Sequence, residues 1–166
     1  MKKLVIMSDN HGDMNIMSDI RVLEPDADLY IHCGDSEATH KMQLEGFVCV
    51  AGNNDWGLDL PRFAKLKVEG VSILITHGQF YGYFDREKHM IKDLKKHGCT
   101  LMFSGHTHMP SIKSEGKYTF INPGSTSWPR GGSKRSYAVV TLDDGQITSA
   151  EIKELPNCKQ KLEIRR

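Results

Sequence analysis

The stretch Phe103 to Ser111, FSGHTHMPS, closes an apolar run with Ser-Gly and then sets His106 and His108 two residues apart ahead of Pro110. Imidazole binds metal ions and moves protons near neutral pH, so two of them in a glycine-flanked turn point to a site. The same context recurs along the chain. KLVIM breaks into SDNHGD with Asp9 and His11, DLYIHC into GDSE with Asp35, FVCV into AGNNDW with Asn53, and SILIT into HGQFYG with His77. Two carboxylates, one amide oxygen and four imidazoles are a donor set for divalent first-row metals that accept mixed nitrogen and oxygen ligands. Seven donors are too many for one tetrahedral zinc and suit two cations that share a carboxylate. Two metals about 3.5–4 Å apart form a clamp for in-line displacement at phosphorus.

Positioning such donors requires strands. The apolar runs are rich in Val, Ile, Leu and Phe without clean alternation, which fits strands covered on both faces, and each donor falls at a carboxyl end. In open α/β sheets that end is the ligand crevice. Asp9 with His11, and His106 with His108, are i, i+2 pairs, so at an extended strand end both members point the same way. Gly12, Gly34, Gly52, Gly78 and Gly105 keep Cβ atoms out of the turns beside them.

Helical patterns lie between the runs. Ile16, Ile20 and Leu23 recur at helical spacing before Pro25. DREKHMIKDLKKHG offers Asp85 as N-cap, Met90, Ile91 and Leu94 as a buried stripe, and Gly98 as C-cap. Ser36 to Leu44 reads as a shorter helix. Alternating strand and helix implies βαβ units early in the chain. YAVVTL and ITSAEIKEL around DDGQ read as an antiparallel hairpin that extends a second sheet.

The 166 residues, 39% hydrophobic and 26% charged, fit one domain over 1–166, with no linker or repeat. A net charge of +1 leaves no strong nucleic-acid footprint. No run reaches membrane-spanning length, and MKKLVIMSD is too short for a signal peptide, so the expected location is the cytoplasm. Cys33, Cys49, Cys99 and Cys158 form no CxxC pair and read as reduced thiols. No stripe identifies an interface, which leaves homo-oligomerisation open.

SDNHGD, GD, GNND, HG and GHTH occur in the order and rough spacing of the calcineurin-like metallophosphoesterases, from about Lys3 to Leu142. With NPGS and PRGG following, the chain looks most like the small YfcE-type phosphodiesterase branch. The resemblance implies an α/β fold of two stacked mixed sheets flanked by helices, a four-layer α/β/β/α sandwich. It implies that Asp9, His11 and His108 hold one metal, that Asn53, His77 and His106 hold the other, and that Asp35 bridges. It further implies that hydroxide between the ions attacks the phosphorus of a phosphate ester. Manganese is the first expectation for the two divalent ions, since no thiolate demands zinc, with iron, zinc and nickel open. The expected substrate is a small phosphodiester or nucleotide-like ester.

Much of the wider superfamily has a histidine where this chain has Asn54 in GNND. Asparagine donates a hydrogen bond but supplies no proton, which argues against a phosphomonoesterase or nucleotidase. Asp55 is then a candidate to help protonate the leaving group. A rival class is a non-catalytic scaffold like the retromer subunit of this fold, although a scaffold is free to lose ligands and this chain keeps all seven. Asn122 and Gly124 form either a plain turn or a substrate contact. The loop SWPRGGSKRS, with Trp128, Arg130, Lys134 and Arg135, is either a solvated basic loop or a means of meeting an anionic, nucleotide-like substrate by charge and stacking. Phe80, Tyr81, Tyr83 and Phe84 wall a cleft or pack a loop. His32, His40, His89 and His97 read as structural or surface groups, Asp13 as a cap, and KQKLEIRR as a solvated tail.

Overall fold

The computed structural model describes residues 1–156; Cys158 and the terminal KQKLEIRR lie outside them. The elements run β1 (Lys2–Met7), α1 (Asn15–Leu23), β2 (Leu29–His32), a short 3-10 helix (Lys41–Leu44), β3 (Phe47–Cys49), β4 (Phe63–Val68) and β5 (Val71–Thr76). They continue with α2 (Arg86–His97), β6 (Leu101–Phe103), β7 (Ser111–Glu115), β8 (Tyr118–Asn122), β9 (Ser136–Asp143) and β10 (Gln146–Glu154). Two five-stranded mixed sheets result, ordered β10-β9-β1-β2-β3 and β4-β5-β6-β8-β7.

The unbroken apolar runs are explained by burial on both faces. Along β1, Leu4 and Ile6 enter the core between the sheets, while Val5 and Met7 pack with Ile16 and Ile20 of α1. In β5 and β6, Ile73, Ile75, Leu101 and Phe103 face the same central core, and Leu74 and Met102 pack with Met90 and Leu94 of α2. Successive strand residues point to opposite faces, so each run serves two cores and the layers are α, β, β, α. The central strands β1-β2-β3 and β5-β6-β8 pair in parallel, which brings their carboxyl ends to one edge of the sandwich.

Four local expectations differ from the structure. The β9-β10 hairpin joins the first sheet beside β1, not the second. A bulge between Ile147 and Ser149 resets its phase, so that Ile147, Ala150 and Ile152 all pack on the central core. The helix read over Ser36 to Leu44 is only the 3-10 turn at Lys41–Leu44, because Glu37 takes φ +56° and its backbone N–H is drawn to the Asp55 carboxylate. Asp85 precedes α2 but at φ +52° makes no side-chain cap. Finally, the partners of β5 and β8 at the sheet edges, β4 and β7, carry lysines and exposed polar groups that broke the apolar pattern.

Candidate metal centre

The loops that follow the parallel strands are zipped together by backbone bonds. Asp9 and His11 donate N–H to the carbonyls of Gly34 and Asp35, and Gly105 donates to the carbonyl of His77. These loops leave the strands sharply: Asp9, His11, Asp35, His106 and His108 all lie in the left-handed region, at φ between 44° and 73°. Such backbone is uncommon outside glycine and concentrates at functional sites. The i, i+2 pairs therefore converge through left-handed turns and not through extended strand ends. Two glycines admit close approach. A Cβ on Gly105 would stand 2.1 Å from Ser8 Oγ and 2.5 Å from Asp9 Oδ2, and one on Gly52 2.1 Å from Asp35 Oδ1.

Asp9 sits at the centre. Its Oδ2 accepts from Ser8 Oγ (2.6 Å) and from the backbone N–H of His106 (3.1 Å). Its Oδ1 is buried with no hydrogen-bond partner, as is Nε2 of His77. Around Oδ1 stand Nε2 of His108 at 3.2 Å, of His77 at 3.7 Å and of His11 at 3.8 Å. Asp35 Oδ2 lies 3.3 Å from His77 Nε2.

Each of these imidazoles is anchored through its other nitrogen. Nδ1 of His77 meets the Cys33 carbonyl at 2.8 Å, Nδ1 of His108 the Trp128 carbonyl at 2.7 Å, and Nδ1 of His11 the Glu37 carboxylate at 2.7 Å. Those acceptors place the ring proton on Nδ1 and leave the Nε2 lone pairs pointing inward. Nε2 of His11 and Nε2 of His108 face each other at 3.2 Å, an opposition that a cation between them resolves. The donors form two groups, Asp9-His11-His108 and Asp9-Asp35-His77, each with atoms within 4.8 Å of one another. Orphaned buried oxygen and nitrogen atoms, hard carboxylates and borderline imidazoles fit divalent cations. Asp9 is common to both groups, and Asp35, the carboxylate that the resemblance implies as the bridge, belongs to the second.

Electrostatics follow the same geometry. Burial alone pushes the Asp9 and Asp35 carboxyls up, but His108, His77 and Ser8 beside Asp9 hold it below the usual range. His77 and Asn54 likewise bring Asp35 down to about 2. His108 is raised chiefly by Asp9, and His77 is raised by Asp35 and Asp9 against the effect of its burial. A cation at the centre competes with protons for these Nε2 atoms. His106 is pushed down by burial and by its neighbours His77 and Arg86.

A cleft of about 260 Å³ opens over this centre, lined by His11, Asp35, Glu37, Asn53, Asn54, His106, His108, Trp128 and Arg130. Asn53 and His106 line this rim, and the His106 imidazole is not among the donors of the two tight groups. Asn54 donates to both oxygens of Asp35, from its backbone N–H (2.9 Å) and its Nδ2 (3.1 Å). Asp55 is not part of that lining: Oδ2 accepts the N–H groups of Asp35 and Gly52, and Oδ1 accepts the N–H of Glu37 and the hydroxyl of Ser36.

Asn122 is buried, with Nδ2 on the Gly105 carbonyl and Thr107 Oγ1, while its Oδ1 receives the Gly124 N–H. Both residues thus brace the GHTH loop. Arg135 is tied to the carbonyls of Thr126 and Pro156, and Lys134 lies 3.6 Å from Glu154, leaving Arg130 as the cation of that loop at the cleft. Tyr81 is buried on Asp93, and the ring of Tyr83 lies 6.2 Å from that of His106. His32 is buried on Asn10.

The described chain through residue 145 matches the Calcineurin-like phosphoesterase superfamily domain, beginning at residue 1. The chain belongs to the calcineurin-like phosphoesterase superfamily. Among relatives of this phosphoesterase, the probable metallophosphoesterase YsnB of Bacillus subtilis (strain 168) is 32% identical over 147 residues, covering 87% of each chain. Phosphodiesterase YfcE of Escherichia coli (strain K12) is 27% identical over 84% of this chain and 72% of its own. A crystal structure described as a predicted phosphoesterase, from Streptococcus pneumoniae TIGR4, superposes with a TM-score of 0.83 at 29% identity, covering 95% of this chain and 94% of that one. Among the described residues no helix of this calcineurin-like phosphoesterase is long and apolar enough to cross a membrane.

Glu37, Ser125 and Arg86 were missed in the sequence. Glu37 stands two residues after Asp35, the same spacing that flagged the histidine pair. Ser125 holds the Asp9 carbonyl at 2.8 Å, and Arg86 reaches the carbonyls of Gly78, Gly82 and Gly105. Neither carries a local signal, because their partners are remote or are backbone atoms.

Proposed function

We propose that this metallophosphoesterase is a phosphodiesterase, working as a single domain over residues 1–166 on small phosphodiesters or nucleotide-like esters. Two divalent cations, manganese first, are held by Asp9, His11 and His108 on one side and by Asp35, His77, His106 and Asn53 on the other, with Asp9 and Asp35 between. The observation that carries the reading is the inward convergence of Nε2 atoms on a buried, unpartnered Asp9 Oδ1.

When bound, such cations lower the pKa of water from about 15.7 to about 7 and neutralise charge on phosphoryl oxygens. The chain's own groups do the rest. Glu37 and the Trp128 and Cys33 carbonyls fix which nitrogen each histidine presents. Asn54 orients Asp35, and Arg130 offers positive charge to an anionic ester at the rim. Asn54 has no proton to give a leaving group, which favours diesters over monoesters. Asp55, spent on backbone N–H groups, serves this reading by shaping the Asp35 turn and not by protonating a leaving group. The thiols of Cys33, Cys49 and Cys99 are free, in keeping with a cytoplasmic location.

The test is hydrolysis of bis-p-nitrophenyl phosphate and p-nitrophenyl phosphate by metal-stripped protein, with and without added manganese. Metal-dependent turnover of the diester, with little of the monoester, is the expected result. Silence with manganese, nickel, zinc and iron alike would move the reading to the scaffold class.

A further inference from the structure

Trp128 is 63% exposed, yet its backbone is anchored on both sides and its indole stacks on a neighbouring ring. Its backbone N–H donates to Ser125 Oγ at 2.8 Å, and its carbonyl accepts Nδ1 of His108 at 2.7 Å. One ring face stacks on the imidazole of His11, with centroids 4.8 Å apart and planes 12° from parallel. The next anchor is close by, since Arg130 donates its N–H to the His108 carbonyl at 3.0 Å. The result is an aromatic shelf fixed to the wall of the cleft, with its second face open and the Arg130 side chain on the same lining.

An exposed flat aromatic face at the edge of a cleft is the arrangement by which proteins stack nucleobases, which offer a π-face whatever their sequence. The neighbouring guanidinium supplies charge for a phosphate. The exposed ring on the other side, Tyr83, lines a different cavity with Arg86 and Lys113 and is not stacked on a donor of the centre. With a net charge of +1 and Arg130 as the cleft's cation, the surface suits a single nucleotide unit better than a long strand.

We propose that the open face of Trp128 is a stacking platform for a nucleobase, so that the preferred substrate is a phosphodiester bearing a nucleoside. The inference rests on the phosphodiesterase reading and adds the chemical class of one ester group.

Thymidine 5′-(p-nitrophenyl) phosphate and methyl p-nitrophenyl phosphate release the same phenolate and differ in the nucleoside. The manganese-loaded protein is expected to favour the thymidyl ester in kcat/KM. Trp128→Ala should lower kcat/KM for the thymidyl ester roughly 10- to 100-fold more than for the methyl ester, while Trp128→Phe keeps most of the preference. In a Trp56→Phe protein Trp128 is the sole tryptophan, and its fluorescence should quench saturably with thymidine 5′-monophosphate. Equal rates on the two esters, or an equal loss on both in Trp128→Ala, overturn the platform, since Trp128 would then only support His11. If neither ester turns over, the phosphodiesterase reading fails, and the fluorescence titration decides the stacking alone: saturable quenching upholds it and unchanged emission overturns it.

Discussion

Asp55 Oδ2 accepts the backbone N–H of Asp35 at 2.8 Å, across 20 residues of sequence. The same carboxylate takes the N–H groups of Gly52 and Glu37, so one side chain holds the turn in which Asp35 adopts φ +58°. Hydrogen bonds to a charged acceptor contribute about 1.5–3 kcal/mol each, and at this half-exposed turn water takes over part of what is lost. Asp55→Ala should therefore lower unfolding free energy by about 2–4 kcal/mol and weaken manganese binding, read by denaturant melts and calorimetry. Asp55→Asn should leave the dependence of kcat on leaving-group pKa unchanged. A steeper dependence would restore the proton-donor role for Asp55.

The Glu37 carboxylate acts on His11, through the 2.7 Å contact to Nδ1. Outer partners of this kind commonly change metal affinity about 10–100-fold. Glu37→Ala should weaken manganese binding about tenfold at least, with Glu37→Gln milder because its amide oxygen still accepts from Nδ1–H. Titration calorimetry of the metal-free proteins measures both, and equal affinities in all three would remove Glu37 from the centre.

Asp9→Asn should cost stability without metal and remove the gain that metal brings. The amide oxygen can keep the bonds from Ser8 and His106, while its NH₂ takes the place of the orphaned Oδ1 and can donate to a facing Nε2. The metal-free variant should melt lower than the parent, because the partners that hold the Asp9 carboxyl below its usual range stabilise the fold at neutral pH and are weakened by the amide. Saturating manganese, worth about 2.7 kcal/mol at 100 times Kd, should raise the parent's melting temperature and not the variant's. A metal-free variant that melts higher would show that the unpartnered Oδ1 outweighs those favourable partners.

Glu24 makes the fold acid-sensitive away from the centre. Its buried carboxylate receives Tyr137 OH (2.6 Å) and Lys153 Nζ (2.9 Å) on Oε2, and Lys3 Nζ (2.8 Å) on Oε1, tying the end of α1 to β1, β9 and β10. Burial alone would raise its pKa, but these partners bring it down from 4.5 to about 2. A depressed carboxyl stabilises the fold above its unfolded value and loses that contribution as pH falls through the folded value. Stability should thus decline between about pH 5 and pH 2, by about 2–3 kcal/mol from this group. Glu24→Gln should flatten that decline in urea melts at stepped pH; an unchanged slope would show that other carboxyls govern it.

By itself the sequence determined the strand runs, the alternation with helices and the kinds of donor at each strand end. These follow from local physics: strands covered on both faces read as apolar runs, and turns after them must carry polar or glycine residues. Leu4-Val5-Ile6-Met7 and the GHTH turn were legible for that reason. The edge strands β4 and β7 were not, because half-exposed strands carry no such run. Tertiary structure decided what spacing does not encode: that Asp9 lies in both donor groups, that left-handed turns aim the donors, and that Asn122 and Asp55 brace loops. It also decided that the terminal hairpin closes the first sheet. The physical reason is distance along the chain. Asp9 is positioned by Ser125 and His106 through hydrogen bonds that exist only once the two sheets stack, and Asp35 by Asn54 and Asp55 once β2 and β3 pair.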